Sequence, residues 1–295
     1  MSAQETPLVF SCAGEHLVGM LHAPATPSAR GVLIVVGGPQ YRVGSHRQFL
    51  LLARELCARG VPVMRFDYRG MGDSGGEPID FMATGPDIRA ALDAMFAAHE
   101  ALESVVLWGL CDAASGVLGY AHGDPRVAGI VILNPWVRSE MGLAKTTLRE
   151  YYLGRLTDGA FWRDLVRGRL ALGASLRSLG QTVHAALRPS AAGGAAASDN
   201  GAAAGAGAPC ASGDAFIDTM REGLARFTGP VLLILSGDDL TAGEFRELIR
   251  ARRWRRLLAR PNVTRQSLEP ANHTFARAEW RQQVADWTWQ WLRAW

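Results

Sequence analysis

Short apolar runs and longer amphipathic stretches alternate along most of this chain. Residues 8–23 (VFSCAGEHLVGMLHAP) read as a hairpin, two apolar stretches around Gly14 and Glu15. A buried strand is predicted at Val32–Val36, followed by a glycine-rich polar loop and then by FLLLARELCARG, a helix closed by Gly60. PVMRFDY reads as the next strand, RGMGDSGGEP as a turn-rich loop, and Gly85–His99 as an alanine-rich helix. VVLWG at 105–109 is a further strand that runs at once into the helical spacing of LCDAASGVLGYAHG, and Gly129–Leu133 is another. Strands alternating with helices of this length build β-α-β units on a mostly parallel sheet, so the expected class is α/β.

After Asn134 the rhythm changes. Residues 138–190 carry helical patterns such as LAKTTLREYYLGRL without a strand-like run, and are expected to form a helical cap insertion. Residues 191–213 are so rich in alanine and glycine that little there can pack a core, which predicts a flexible tether. The strand and helix rhythm resumes over 214–295, with GPVLLILSGDD at 229–239, a basic helix to Arg260, a short strand at Val263–Leu268 and a Trp-rich helix over 275–295. The expected organisation is therefore one core in two parts, 1–137 and 214–295, interrupted by cap and tether.

Composition sharpens this picture modestly. At 295 residues, 48% apolar and 20% charged, the chain is long enough to bury a sizeable core, which excludes disorder throughout. A formal net charge of +3 is no signature of nucleic-acid binding. No apolar run approaches the roughly 18 residues of a membrane span, and the N-terminus lacks a secretory pattern, so a cytoplasmic protein is expected. Cys12, Cys57, Cys111 and Cys210 lie far apart without a C-x-x-C pair, which argues against a zinc site and a disulfide framework; no metal or cofactor is expected. Lys145 is the only lysine, and Arg250, Arg252, Arg253, Arg255, Arg256 and Arg260 cluster. That cluster reads as a solvated helix face, with an acidic or phosphorylated partner as the alternative.

The chemistry concentrates at VVLWGLCDAAS. Cys111 stands at a strand-to-helix junction with Gly109 two positions before it and Ala113 two after, the spacing of a nucleophile elbow, where small residues let strand and helix pass closely. The commonest fate of a cysteine is inert burial, but its place at a helix start would favour the thiolate. Asp238 and Asp239 stand at a strand end, and His273 lies in the loop before the last helix, so the order Cys111, Asp239, His273 is that of nucleophile, acid and base. Asp239 is the expected acid, with Asp238 as the residue that could cap the turn. An oxyanion needs two donors. The amide of Asp112 supplies the first; Gly38 is the expected second, with Gln40 as the alternative and Pro39 excluded for want of an N–H. Gln40 and His46 are the candidates to touch substrate.

Together HLVGMLHAP, GGPQ, FDYRGMGDSGG, GLCDAAS, SGDD and NHTF resemble the α/β-hydrolase superfamily. More narrowly, GGPQYRVGSHRQF, FDYRGMGDSGGEPIDF, WGLCDAASG and LNPWVRSE resemble the exosortase A system-associated hydrolases of bacteria. The resemblance implies an α/β-hydrolase fold, a mostly parallel central sheet flanked by helices, in which Asp67, Arg69 and Ser74 organise a loop without acting as catalysts. It implies hydrolase chemistry without a settled substrate; from Cys111, His273 and Asp239 themselves, attack on a small-molecule ester or thioester through an acyl-cysteine is expected. Acyl transfer from coenzyme A or an acyl carrier protein is a second expectation, and a catalytically silent binding member of the fold a third.

Overall fold

The computed structural model describes residues 4–26, 28–38, 40–138 and 215–295. The expected cap, from residue 139 on, and the expected tether lie outside the described residues. The elements are β1 (Gln4–Cys12), β2 (Glu15–Ala23), β3 (Arg30–Val35), α1 (Gln48–Ala58), β4 (Val63–Phe66), α2 (Gly85–Ala98), β5 (Ser104–Leu110), α3 (Asp112–Tyr120) and β6 (Val127–Leu133). After the undescribed segment come α4 (Ala215–Arg226), β7 (Val231–Asp238), α5 (Leu240–Leu248), α6 (Arg252–Leu258), β8 (Val263–Asn272) and α7 (Ala278–Leu292).

The eight strands form one sheet in the order β1-β2-β4-β3-β5-β6-β7-β8. The β1/β2 and β2/β4 pairs are antiparallel, and every pair from β4/β3 to β7/β8 is parallel. The central strands are apolar on both faces, as strands covered by helices on two sides must be. Val32, Ile34, Val106, Trp108, Val131 and Leu133 pack with Phe49 and Leu56 of α1 and Trp291 of α7. Leu33, Val35, Val105, Leu107, Ile130 and Ile132 pack on the other face, with residues of α2, α3 and α4.

Three sequence expectations change. The basic helix is two helices, α5 and α6, because the chain breaks between Leu248 and Arg252. The strand expected at Val263–Leu268 extends to Asn272, since its register with β7 resumes beyond a bulge, at the Asp238 and Asn272 pair. Helix α4 was not expected, because its first half, AFIDTM, adjoins the alanine-glycine run; the helix buries Phe216, Met220 and Leu224. Among the described residues no helix is long and apolar enough to cross a membrane.

Candidate functional site

The parallel strands deliver their C-terminal ends to one edge, and the candidate residues gather there. β5 ends at Leu110, and Cys111 follows with φ 64° and ψ −126°, a backbone region that non-glycine residues rarely hold. Its amide donates to the Leu133 carbonyl at 2.9 Å and its carbonyl accepts from the Trp136 amide at 3.1 Å, so β6 and the turn beyond it fix the strained residue. Closeness of strand and helix is visible at Gly109. A Cβ there would lie 2.9 Å from the backbone of Ala113 and of Ala114. Gly37, beneath the loop after β3, is equally confined, because a Cβ would meet the Asp112 carboxylate and the Leu110 carbonyl.

At the ends of β7 and β8, Asp239 Oδ2 and His273 Nδ1 are 2.9 Å apart. Asp239 also accepts the amides of Thr241 and Ala242, both at 3.1 Å, and so caps α5. The cap that the sequence allowed for Asp238 is thus made by Asp239; Asp238 is exposed at the strand end. Burial works to raise the Asp239 pKa, but the hydrogen bond and charge of His273, with the two amides, hold it below the ordinary carboxylate value.

Asn134 was not singled out from the sequence. Its Nδ2 donates to Ser236 Oγ at 2.8 Å and to the His273 carbonyl at 3.2 Å, and its Oδ1 accepts the Ser236 amide at 2.9 Å. It has φ 42° and is fully buried. The available signal was a lone polar residue ending an otherwise apolar strand, VILN. Arg138 is a second such residue: it pairs with the buried Glu244 at 3.2 Å, stacks on Trp136, and its charge reaches Cys111.

The expected oxyanion donors are differently engaged. Asp112 Oδ2 accepts the Gly38 amide at 2.8 Å, and Oδ1 accepts the Ala113 amide at 2.8 Å. A carboxylate therefore occupies the donor that the sequence assigned to an oxyanion. Burial raises the Asp112 pKa, opposed by the amides of Gly38, Ala113 and Asp112 itself and by the charge of His273. The expectation of a favoured thiolate is corrected too. Burial pushes the Cys111 thiol well above its ordinary range, and the charges of Asp112 and Asp239 push it further, against the Asp112 amide and Arg138. A carboxylate in the first turn of α3 offsets the helix-terminal field that would have stabilised the anion.

Gln40 and His46 do not join this group. Gln40 Oε1 accepts the Ser45 amide at 3.2 Å and braces its own loop. His46 is exposed in a short 3-10 turn, with φ 53°, and has no hydrogen bond to Cys111, Asp239 or His273 among the described residues. Asp67 accepts the amides of Arg42 at 2.6 Å and Asp73 at 3.1 Å and pairs with the Arg42 guanidinium. Ser74 Oγ donates to the Asp67 carbonyl at 2.6 Å and accepts the Val18 amide at 2.9 Å. Arg69 pairs with the buried Asp87 at 2.8 Å. Arg42 and Asp67 thus join the loop after β3, which carries Gly38, to the end of β4, while Ser74 ties the loop after β4 to β2 and Arg69 ties it to α2.

An eight-stranded, mostly parallel sheet with a strained residue at the β5–α3 turn and an Asp–His pair beyond β7 and β8 defines an α/β-hydrolase fold. The sequence profile of the alpha/beta hydrolase family matches residues 32–287, and the chain belongs to that family. No curated protein sequence matches it. Among solved structures it is similar to an esterase of Pyrococcus furiosus, with a TM-score of 0.64 and 14% identity over 99% of this chain and 92% of the other. It is also similar to Est1E of Butyrivibrio proteoclasticus, solved with ferulic acid, with a TM-score of 0.60 and 14% identity over 97% of each chain. The dienelactone hydrolase of Anabaena variabilis gives 0.58 and 15% identity over 99% of this chain and 98% of the other. At these identities the likeness is one of fold.

Proposed function

We propose that the protein is an acyl hydrolase acting on small esters or thioesters through Cys111, His273 and Asp239. The observation that carries this reading is the 2.9 Å Asp239–His273 pair at the same sheet edge as the strained Cys111 turn. Asp239 fixes the His273 tautomer with Nδ1–H toward the carboxylate, leaving Nε2 to accept a proton. The Cys111 S–H proton passes to His273 as sulfur bonds to the carbonyl carbon. The amides of Gly38 and Asp112 hold the oxyanion once the Asp112 carboxylate has left Gly38. The carbon to leaving-group bond then breaks, His273 returns the proton to the alcohol or thiol, and water releases the carboxylic acid from the acyl-cysteine. With the thiol pushed above its ordinary range, proton transfer accompanies attack and no resting ion pair is required.

The motif resemblance to exosortase A system-associated hydrolases supports a role beside bacterial surface-polymer or protein-sorting systems. A second reading, acyl transfer to an amine or alcohol, is favoured by one observation. Arg252, Arg253, Arg255 and Arg256 of α6 are exposed while Trp254 and Leu258 are buried, a basic face open to an acidic acyl carrier. Intact mass spectrometry after incubation with a p-nitrophenyl ester or acyl thioester tests both. An acyl adduct that disappears in Cys111→Ala is expected; a folded protein giving neither adduct nor turnover leaves the silent binding member as the correct account. Product formed only with an added acceptor identifies the transferase.

A further inference from the structure

β8 ends the sheet, and among the described residues it pairs only with β7. Val231 lies opposite Val263, and its amide donates to the Asn262 carbonyl at 2.8 Å, which fixes the alternation along β8. Thr264, Gln266 and Leu268 therefore turn their amides and carbonyls toward β7. Arg265 and Ser267 turn theirs to the open edge, and so does the Glu269 amide. Beyond Leu268 the strand bulges, so that the Glu269 carbonyl lies against Gly237 and Pro270 falls outside the regular stretch. Arg265, Ser267 and Glu269 share one face and are all exposed. Neither charge has an ion pair among the described residues, and Glu269 accepts the Ser267 hydroxyl at 2.6 Å.

Charge on an open strand ordinarily keeps other strands away, but these two charges select a partner. In a twofold antiparallel pair of β8 strands, an axis through Arg265 or Glu269 sets like charges opposite each other, and an axis through Gln266 or Leu268 sets both opposite neutral residues. An axis through Ser267 places Arg265 of each copy opposite Glu269 of the other. We propose that the edge of β8 is the contact between two copies of this chain, paired antiparallel about Ser267 into one continuous sheet. The two Ser267 residues exchange two backbone hydrogen bonds, each Glu269 amide donates to the Arg265 carbonyl of the second copy, and two ion pairs flank them. The basic faces of α6 do not oppose this. Each α6 ends at Leu258, near the Val263 end of its β8. Antiparallel pairing holds the two Val263 ends about 27 Å apart, well beyond the screening length of about 8 Å at physiological salt. The contact does not depend on the chemistry proposed for Cys111.

Sedimentation velocity of the full chain across micromolar concentrations tests it, and a reversible monomer–dimer equilibrium is expected. Arg265→Glu and Glu269→Arg, both at exposed positions, should each raise the dimer Kd about tenfold or more, because each sets two like-charged pairs where opposite charges met. Mixing the two variants joins a strand acidic at both positions to one basic at both, so the mixture should dimerise where neither variant does alone. The two changes in one chain exchange the charges and should return the dimer to its original strength. Far-UV circular dichroism verifies that each variant is folded. A protein that stays monomeric at every concentration overturns the proposal and leaves the charges as guards of the edge. A dimer indifferent to both single reversals, or one that neither the mixture nor the double change restores, overturns it as well.

Discussion

The Asp112 carboxylate accepts the Gly38 amide at 2.8 Å, so the residue immediately after the candidate nucleophile occupies, with its own side chain, the donor proposed for the oxyanion. One contact therefore has two effects, occupying a donor and placing negative charge beside the Cys111 thiol. Asp112→Ala keeps the backbone amide and removes both. Alkylation of Cys111 by iodoacetamide at pH 8 is expected to rise about tenfold, corresponding to a fall of roughly one pH unit in the thiol pKa. The helix start loses a favourable carboxylate, so stability should drop by about 0.3–1 kcal/mol. A pH titration of alkylation rate checks the direction, and an unchanged or slower rate contradicts it.

Asn134 spans the gap between β6 and β7 and carries the His273 carbonyl. Asn134→Ala leaves the Ser236 amide and hydroxyl short of a partner and frees the histidine loop. We expect stability to fall by about 1–3 kcal/mol, as for a buried group left unsatisfied. A pure loss of stability would leave the pH dependence of acylation alone. Mispositioning of His273 should instead lower kcat with little change in KM and alter its pH profile, and steady-state kinetics at several pH values separate the two.

Much of this was legible in the sequence, for identifiable reasons. Continuous apolar runs such as VLIVV and VLLIL have only one place to go, a sheet covered on both faces, and the order of Cys111, Asp239 and His273 needed no contact to be read. What escaped was side-chain direction. That Asp112 turns back onto Gly38, that Asp239 both caps α5 and meets His273, and that Asn134 reaches across two strands depend on torsions and on neighbours distant in the chain. His46 was a candidate because it lies in the loop after β3, yet its side chain is exposed there.

Gly109 tests the elbow without touching its chemistry. A methyl there meets the backbone of Ala113 and Ala114 at 2.9 Å, where nothing flexible can yield. Gly109→Ala should cost about 1–3 kcal/mol, the usual penalty of overpacking, and should lower Cys111 acylation by pushing α3 off β5. Gly123→Ala is the control, since a Cβ there meets nothing within 4 Å. Urea midpoints at constant m-value measure the difference, and equal losses in the two variants would show that the turn can relax.

Far from this edge, His22 of β2 is fully buried, and Arg65 donates to its Nε2 at 3.0 Å. Burial, reinforced by the Arg65 charge and only partly opposed by Glu5, lowers its pKa from 6.5 to about 4. Between those values the unfolded chain binds a proton that the folded chain does not. The contribution is therefore intact above pH 6.5, is lost progressively as pH falls toward 4, and changes no further below it. The gap corresponds to roughly 3 kcal/mol at most. His22→Gln keeps an acceptor for Arg65 but has nothing to titrate, so its stability should fall less than the wild type's between pH 6.5 and 4. Chemical denaturation of the two proteins across that range measures the contribution, and parallel curves would mean that the imidazole protonates in the folded protein as readily as in the unfolded chain.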